Sequence, residues 1–347
     1  MKIPLKKVQD QVIVVTGASS GIGLATAQEA SRRGARVVMA CRNIEMLEQA
    51  AERIRAVGGD ATAVQADVRN EADHQKILSV ALERYGTVDT WVNNAGVSIF
   101  GKLEDVPIED QRALFDTNYW GVVYGSLTAV RHLKLQGGTL INVGSELSDR
   151  AIPLQAAYSA SKHAVKGFTD GLRMELAVDK SPVSVTLIKP ASIETGFTRH
   201  AKNYMDVEPR LPSPLYSPRA VAEAIVFAAE TPRRDVFVGS ASKAVSSAGH
   251  RAPALMDKLA GLLVRQQRSE MLVRPDRRDS LHEAGEGTTP AVSDGRTVHS
   301  RSVYTQATTK GQGALYAGMA VAGAFAVLSV MSRWSKSADR RHLSAWH

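Results

Sequence analysis

The chain has 347 residues, 44% of them hydrophobic, enough for one large core with length left for an appendage. Its formal charge of +8 sits in the last third: residues 1 to 240 carry 28 Lys+Arg against 27 Asp+Glu, and residues 241 to 347 carry 15 against 8. A near-neutral body with 5% aromatics argues against a nucleic-acid-binding face, and the single cysteine, Cys41, rules out an intrachain disulfide and fits a reducing compartment.

The first residues, MKIPLKKVQDQ, are basic but contain no apolar stretch, so a cleaved export signal is not expected. Val12 to Val15 then reads as a short buried strand entering the glycine loop TGASSGIG, followed by a helical pattern from Leu24 to Arg33. Strand-like and helical stretches continue to alternate: ARVVMAC, a helix over 44–57, ATAVQAD, a helix over 71–85, VDTWVNN, a long helix over 108–133, and GTLINVGS. A helix carrying AAYSASKHA runs through about Ala177, and VSVTLIK, a proline-rich loop, the helical PRAVAEAIVFAAE and DVFVG complete the series. Strands apolar on both faces and separated by helices imply a doubly wound parallel sheet with helices on both sides, closing near residue 240. Residues 241–275 read as a basic extension. Within it, Leu255, Leu259, Leu262, Leu263 and Leu272 lie mostly at helical spacing, with Lys258, Arg265 and Arg268 between them, and predict an amphipathic helix over 252–272. The Gly-, Ser-, Thr- and Asp-rich stretch 276–312 reads as a disordered linker. Residues 314–331 carry no charge and would span about 27 Å as a helix, just adequate for a bilayer core, so a membrane helix is expected within 313–332, followed by a basic tail over 333–347.

Chemistry concentrates at two places. In TGASSGIG, Gly17, Gly21 and Gly23 permit a tight turn, let the backbone approach a pyrophosphate and leave the free N–H groups of a helix start facing the anion. In AAYSASKHA, Tyr158 and Lys162 are one helical turn apart and share a face. A tyrosine with a pKa near 10 needs about 4 kcal/mol of differential stabilisation to titrate near neutrality. A positive charge a few ångströms away at an effective dielectric of 20 is worth about that much.

With NNAG at 93–96, Asn118 and Ser145 added in order, the chain from residue 11 to about 240 resembles the short-chain dehydrogenase/reductase family in its compact single-domain branch. The resemblance implies a Rossmann-type sheet that binds a nicotinamide dinucleotide and exchanges hydride with a carbonyl or alcohol. It also implies a catalytic set of Asn118, Ser145, Tyr158 and Lys162: Tyr158 as general acid or base, Lys162 tuning it and bonding the nicotinamide ribose, Ser145 donating to the substrate oxygen, and Asn118 holding a water. The cofactor set it implies is Gly17, Ser19, Ser20, Gly21, Ile22, Gly23, Asp67, Val68, Asn94, Ala95, Gly96, Tyr158, Lys162, Pro190, Ile193 and Thr195. At the end of the second strand Cys41 stands where an acid would hold a ribose 2′-OH, and Arg42 follows, suited to a 2′-phosphate. NADP(H) is therefore expected, with NAD the alternative. Relatives usually show Pro-Gly after the sixth strand, whereas this chain has Pro190 and Ala191, an exchange that reshapes the loop if a positive φ is required there.

Substrate contacts are expected from the lid-like segment 191–217 and from Ile99, Phe100, Leu147, Ile152 and Leu154, a mostly apolar set that suits a hydrophobic carbonyl or alcohol. The expectation is an enzyme on the cytoplasmic face of a membrane, a homo-oligomer without nucleic acid or metal. The rival is a cofactor-binding regulatory or interaction protein on the same fold.

Overall fold

The computed structural model describes residues 3–285, 296–300 and 302–309. Seven strands form one sheet: β1 (Val12–Thr16), β2 (Arg36–Cys41), β3 (Asp60–Gln65), β4 (Thr90–Asn93), β5 (Gly138–Val143), β6 (Val183–Pro190) and β7 (Asp235–Val238). All pairings are parallel, and the spatial order is β7-β6-β5-β4-β1-β2-β3. Chain order reverses between β1 and β4, so a crevice opens at the carboxyl ends of these two strands.

Alternate side chains explain why the sheet is covered on both faces. Ile13, Val15, Val37 and Met39 face one core with α1 (Gly21–Arg32), α2 (Ile44–Ala56) and α7 (Pro218–Glu230), whose apolar positions include Ala27, Leu47, Ile54, Val221 and Ile225. Val12, Val14, Val38 and Ala40 face the other core, with Ile77 of α3 (Glu71–Tyr85), Leu133 of α5 (Gly121–Gln136) and Leu172 of α6 (Ala156–Val178). Local signals set the helix ends. Asn43 and Asn70 cap α2 and α3 through their side chains, Gly86 closes α3 at φ +76°, and Ser217 caps α7 ahead of Pro218. Helix α4 (Ile108–Phe115) joins α5 through a π-turn at Asp116–Trp120, so the single long helix read over 108–133 carries an extra residue at its middle.

Beyond residue 240 the chain departs from the expectations. The stretch 252–272 is not one amphipathic helix: short helices at Pro253–Lys258 and Ala260–Gln267 give way to a strand, Arg268–Leu272, paired antiparallel with Val207–Pro209. Within it, strand pairing with the lid segment overrides the helical spacing of the leucines, and Leu272 is left exposed. The disordered linker expected over 276–312 is likewise corrected where it is described. Arg277 pairs with buried Glu208 and donates to the Thr198 and Ala201 carbonyls at 2.7 Å, Lys202 pairs with Asp279 at 3.3 Å, and Leu281 is fully buried. Val298–His299 pairs with Leu215–Tyr216, and helix Val303–Thr309 packs on α7 and β7. A composition poor in apolar residues cannot fold alone, but here it is ordered on a surface the body supplies. Among the described residues no helix is long and apolar enough to cross a membrane; the expected membrane run 314–331 and basic tail 333–347 lie outside them.

Candidate active site

The crevice between β1 and β4 holds a cavity of about 290 Å³. Its floor is the glycine loop. Gly17 has φ +65°, and a Cβ there would lie 2.8 Å from the Ala95 Cα; a Cβ on Gly23 would lie 2.1 Å from the Gly17 carbonyl oxygen. Gly17 thus supplies the turn and Gly23 lets α1 close on the loop from behind, outside the cavity lining itself. Ser20 sits at the start of α1 in an extended conformation without a side-chain cap bond, so the first N–H groups of α1 face the cavity uncapped. Thr16 Oγ1 accepts from the Asn94 and Ala95 N–H groups at 3.0 and 3.2 Å, and Asn94 Nδ2 donates to the Thr16 carbonyl at 2.9 Å, which ties the end of β4 to the loop. Behind this wall the buried Asn93, Ser126, Asn142 and Thr169 side chains bond one another at 2.9–3.0 Å, fixing β4 and β5 against α5 and α6.

Every expected cofactor residue except Gly23 lines the cavity: Gly17, Ser19, Ser20, Gly21, Ile22, Arg42, Asp67, Val68, Asn94, Ala95, Gly96, Tyr158, Lys162, Pro190, Ile193 and Thr195. The residues fit an elongated dinucleotide, with the glycine loop for a pyrophosphate at one end and a buried Tyr–Lys pair at the other. Arg42 is more committed than the sequence suggested, because it donates to the Ser280 carbonyl at 2.7 Å and the His282 carbonyl at 3.4 Å. Asp67 is held by Arg69 at 2.6 Å, and this pair keeps its carboxyl below the usual range against the opposing effect of burial. Ala191 is not among the residues with positive φ; its N–H bonds the Val238 carbonyl at 2.9 Å, so the loop after β6 forms without a glycine at that position.

At the other end the α6 helix presents Tyr158 and Lys162 together, both buried, with Lys162 Nζ 5.8 Å from the Tyr158 ring centroid. Lys162 Nζ donates to the Val143 carbonyl at 3.0 Å. Ser145 has two roles. It lines the cavity together with Tyr158, whose phenol it helps to hold down, and it caps the 3₁₀ turn Glu146–Ser148, accepting from Leu147 N–H at 3.1 Å while its own N–H donates to Ser148 Oγ at 3.1 Å. Burial raises the Tyr158 phenol to about 12, opposed by Ser145 and reinforced by Glu146; burial also lowers Lys162 to about 8. In the protein alone, burial thus moves the phenol in the opposite sense to the lowering expected from the sequence.

Asn118 is fully buried and does not line the cavity; its side-chain amide bonds the Val97 N–H (2.8 Å), the Val97 carbonyl (3.0 Å) and Ser161 Oγ (3.1 Å), so through its side chain it positions loop 96–98 against α6. Of the expected substrate contacts, Leu147 and Ile152 face the cavity, whereas Ile99 and Phe100 are core residues and Leu154 lies behind them. Two features had no sequence signal. Glu146 lines the cavity with Oε2 buried and without a hydrogen-bond partner, and Ser280, Ala284 and Gly285 of the carboxy-terminal strap close the crevice above Arg42.

A family model described as short chain dehydrogenase matches residues 11–205. An uncharacterized oxidoreductase, YxnA, of Bacillus subtilis is 46% identical over 313 residues, 89% of this chain and 88% of that protein, so the likeness runs on past the sheet into the carboxy-terminal extension. Among solved structures, a short-chain dehydrogenase/reductase from Burkholderia phymatum in complex with NAD superposes with a TM-score of 0.64 at 26% identity, covering 74% of this chain and 97% of that one. An alcohol dehydrogenase from Thermococcus sibiricus complexed with 5-hydroxy-NADP gives 0.58 at 25% identity, covering 65% and 95%.

Proposed function

The chain belongs to the short-chain dehydrogenase family, and from that membership we propose that it is an NADP(H)-dependent oxidoreductase that interconverts a hydrophobic carbonyl compound and its alcohol. The single observation that carries the reading is that Ser145, Tyr158 and Lys162, the last two buried one helical turn apart, line the same cavity as the glycine loop.

When bound, the dinucleotide supplies a hydride to the carbonyl carbon. The protein must then supply the proton that turns the carbonyl oxygen into a hydroxyl. Tyr158, with its phenol raised to about 12, holds that proton at neutral pH and gives it to the oxygen. Ser145 donates a hydrogen bond to the same oxygen and steadies its developing charge. Lys162 is placed to offset the phenolate left behind and to bond the nicotinamide ribose. Val97, Leu147, Ile152, Phe197, Leu211 and Pro212 supply an apolar surround, and Phe197 packs edge-on against Tyr158 at 5.6 Å, which excludes water from the reacting atoms.

Arg42 supports NADP(H) over NAD(H): it is the one arginine among the described cavity residues, and Cys41 offers no carboxylate at the neighbouring position. Membrane attachment through 314–331 and self-association belong to the same proposal. The first rests on an uncharged run of 18 residues and the second on the exposed Trp120 and Leu127 of the α4–α5 face. The test is oxidation of NADPH and of NADH in the presence of a panel of aliphatic and cyclic ketones and aldehydes. The reading predicts carbonyl-dependent turnover that favours NADPH; cofactor binding without turnover of any carbonyl would favour a cofactor-sensing protein instead.

A further inference from the structure

Among the described residues no side-chain partner explains the presence of Glu146. The reciprocal Ser145–Ser148 cap fixes the turn that carries it, and Leu147 and Ser148 point inward, buried at 5% and 1% exposure. Glu146 instead lines the cavity, with Oε2 screened from solvent and unbonded, and when ionised it opposes ionisation of the Tyr158 hydroxyl. A carboxyl oxygen shut off from solvent without a partner costs stability that an apolar group would not, so the natural place to look for its partner is a ligand.

Resting on the reading of the site as a carbonyl reductase, we propose that Glu146 recognises a hydroxyl group on the substrate, one or two carbons from the reacting carbonyl. Ser145, Glu146 and Tyr158 line one cavity; with Ser145 and Tyr158 assigned to the carbonyl oxygen, Glu146 is left for a polar substituent close to it. Burial holds the carboxyl neutral, pushed up to about 8, and a neutral carboxyl both donates and accepts, which matches a hydroxyl. The substrate class is thus a hydroxylated ketone or aldehyde with an otherwise apolar body. The reaction supplying it must leave oxygen on two nearby carbons, and its reduced product is a diol.

The experiment compares kcat/KM of the full-length protein for butan-2-one, 3-hydroxybutan-2-one and 4-hydroxybutan-2-one, and for cyclohexanone and 2-hydroxycyclohexanone, with the same measurements on Glu146→Leu and Glu146→Gln. A hydroxyl also activates the carbonyl beside it, so the quantity read is the preference for the hydroxylated member in the wild type divided by that in the variant. We expect the preference to fall at least about tenfold in Glu146→Leu, whatever the change in turnover of the plain ketones, and to be partly restored in Glu146→Gln. Thermal unfolding shows whether Glu146→Leu is folded; the unpartnered carboxyl predicts an unchanged or raised midpoint. An equal preference in wild type and a folded Glu146→Leu would overturn the assignment while leaving the reductase reading intact. Turnover of none of these carbonyls, nor of any other, with either cofactor would remove that reading and the assignment with it.

Discussion

Burial acts on three neighbouring groups in one sense, toward the neutral form: Tyr158 rises to about 12, Glu146 rises to about 8 and Lys162 falls to about 8. For Glu146 the folded chain keeps a proton that the unfolded chain releases above the ordinary carboxyl value of 4.5, so stability is lost as pH rises from about 4.5 to 8 and is level beyond. Thermal midpoints of wild type and Glu146→Leu, followed across that window, should therefore separate in favour of the variant; curves that stay parallel would show that the carboxyl is solvated. Lys162 behaves oppositely, being charged in the free enzyme only below about 8, so kcat/KM should fall above that pH, and persistence of the limb in Glu146→Leu assigns it to Lys162. Arg42→Ala should weaken NADPH binding by about tenfold or more while changing NADH binding little, as read by quenching of protein fluorescence; equal losses would reduce Arg42 to a tether for the strap. At this scale spacing made Tyr158, Lys162 and the glycines legible, since their chemistry demands fixed intervals. Glu146 has no such interval, and its character arises only from the walls folded around it.

Elements show a similar divide. Strands such as β1 and β6, buried along their whole length, and helices with an apolar stripe fall where the sequence places them, because both sides of the sheet need covering and the periodicity says so. The carboxy-terminal pieces take their form from the lid: Arg268–Leu272 becomes a strand because Val207–Pro209 offers an edge, and 276–285 is ordered by partners distant in sequence. The strap is a working part of the crevice. Leu281 is buried among Val97, Leu147, Ile152 and Tyr158, while Arg42 and Arg69 donate to the carbonyls of Ser280 and His282, and His282 Nε2 lies 2.7 Å from Asp110 Oδ1. Placing a carboxylate in that pocket, as in Leu281→Asp, should displace the strap and raise the NADPH dissociation rate about tenfold in stopped-flow displacement, with the urea midpoint of the sheet domain little changed. An unchanged rate would mean that the strap does not cover the bound cofactor.

At the scale of the whole molecule, the doubly wound fold and the position of its crevice were legible from the alternation of strands and helices, while the enclosure of that crevice by the chain's own last third was not, since no local pattern encodes it. The uncharged run 314–331 makes its own prediction: full-length protein should co-sediment with membranes and be released by detergent, whereas protein ending at Thr309 should not, and equal partitioning of the two would remove the anchor. The measurement that bears most directly on the enzymatic account is a single-turnover reduction by the Tyr158→Phe variant loaded with one equivalent of NADPH, alongside a titration of cofactor binding. The account predicts that NADPH binds within about threefold of wild type while carbonyl reduction slows by about 10²–10⁴. Reduction at the wild-type rate by a folded Tyr158→Phe would contradict it.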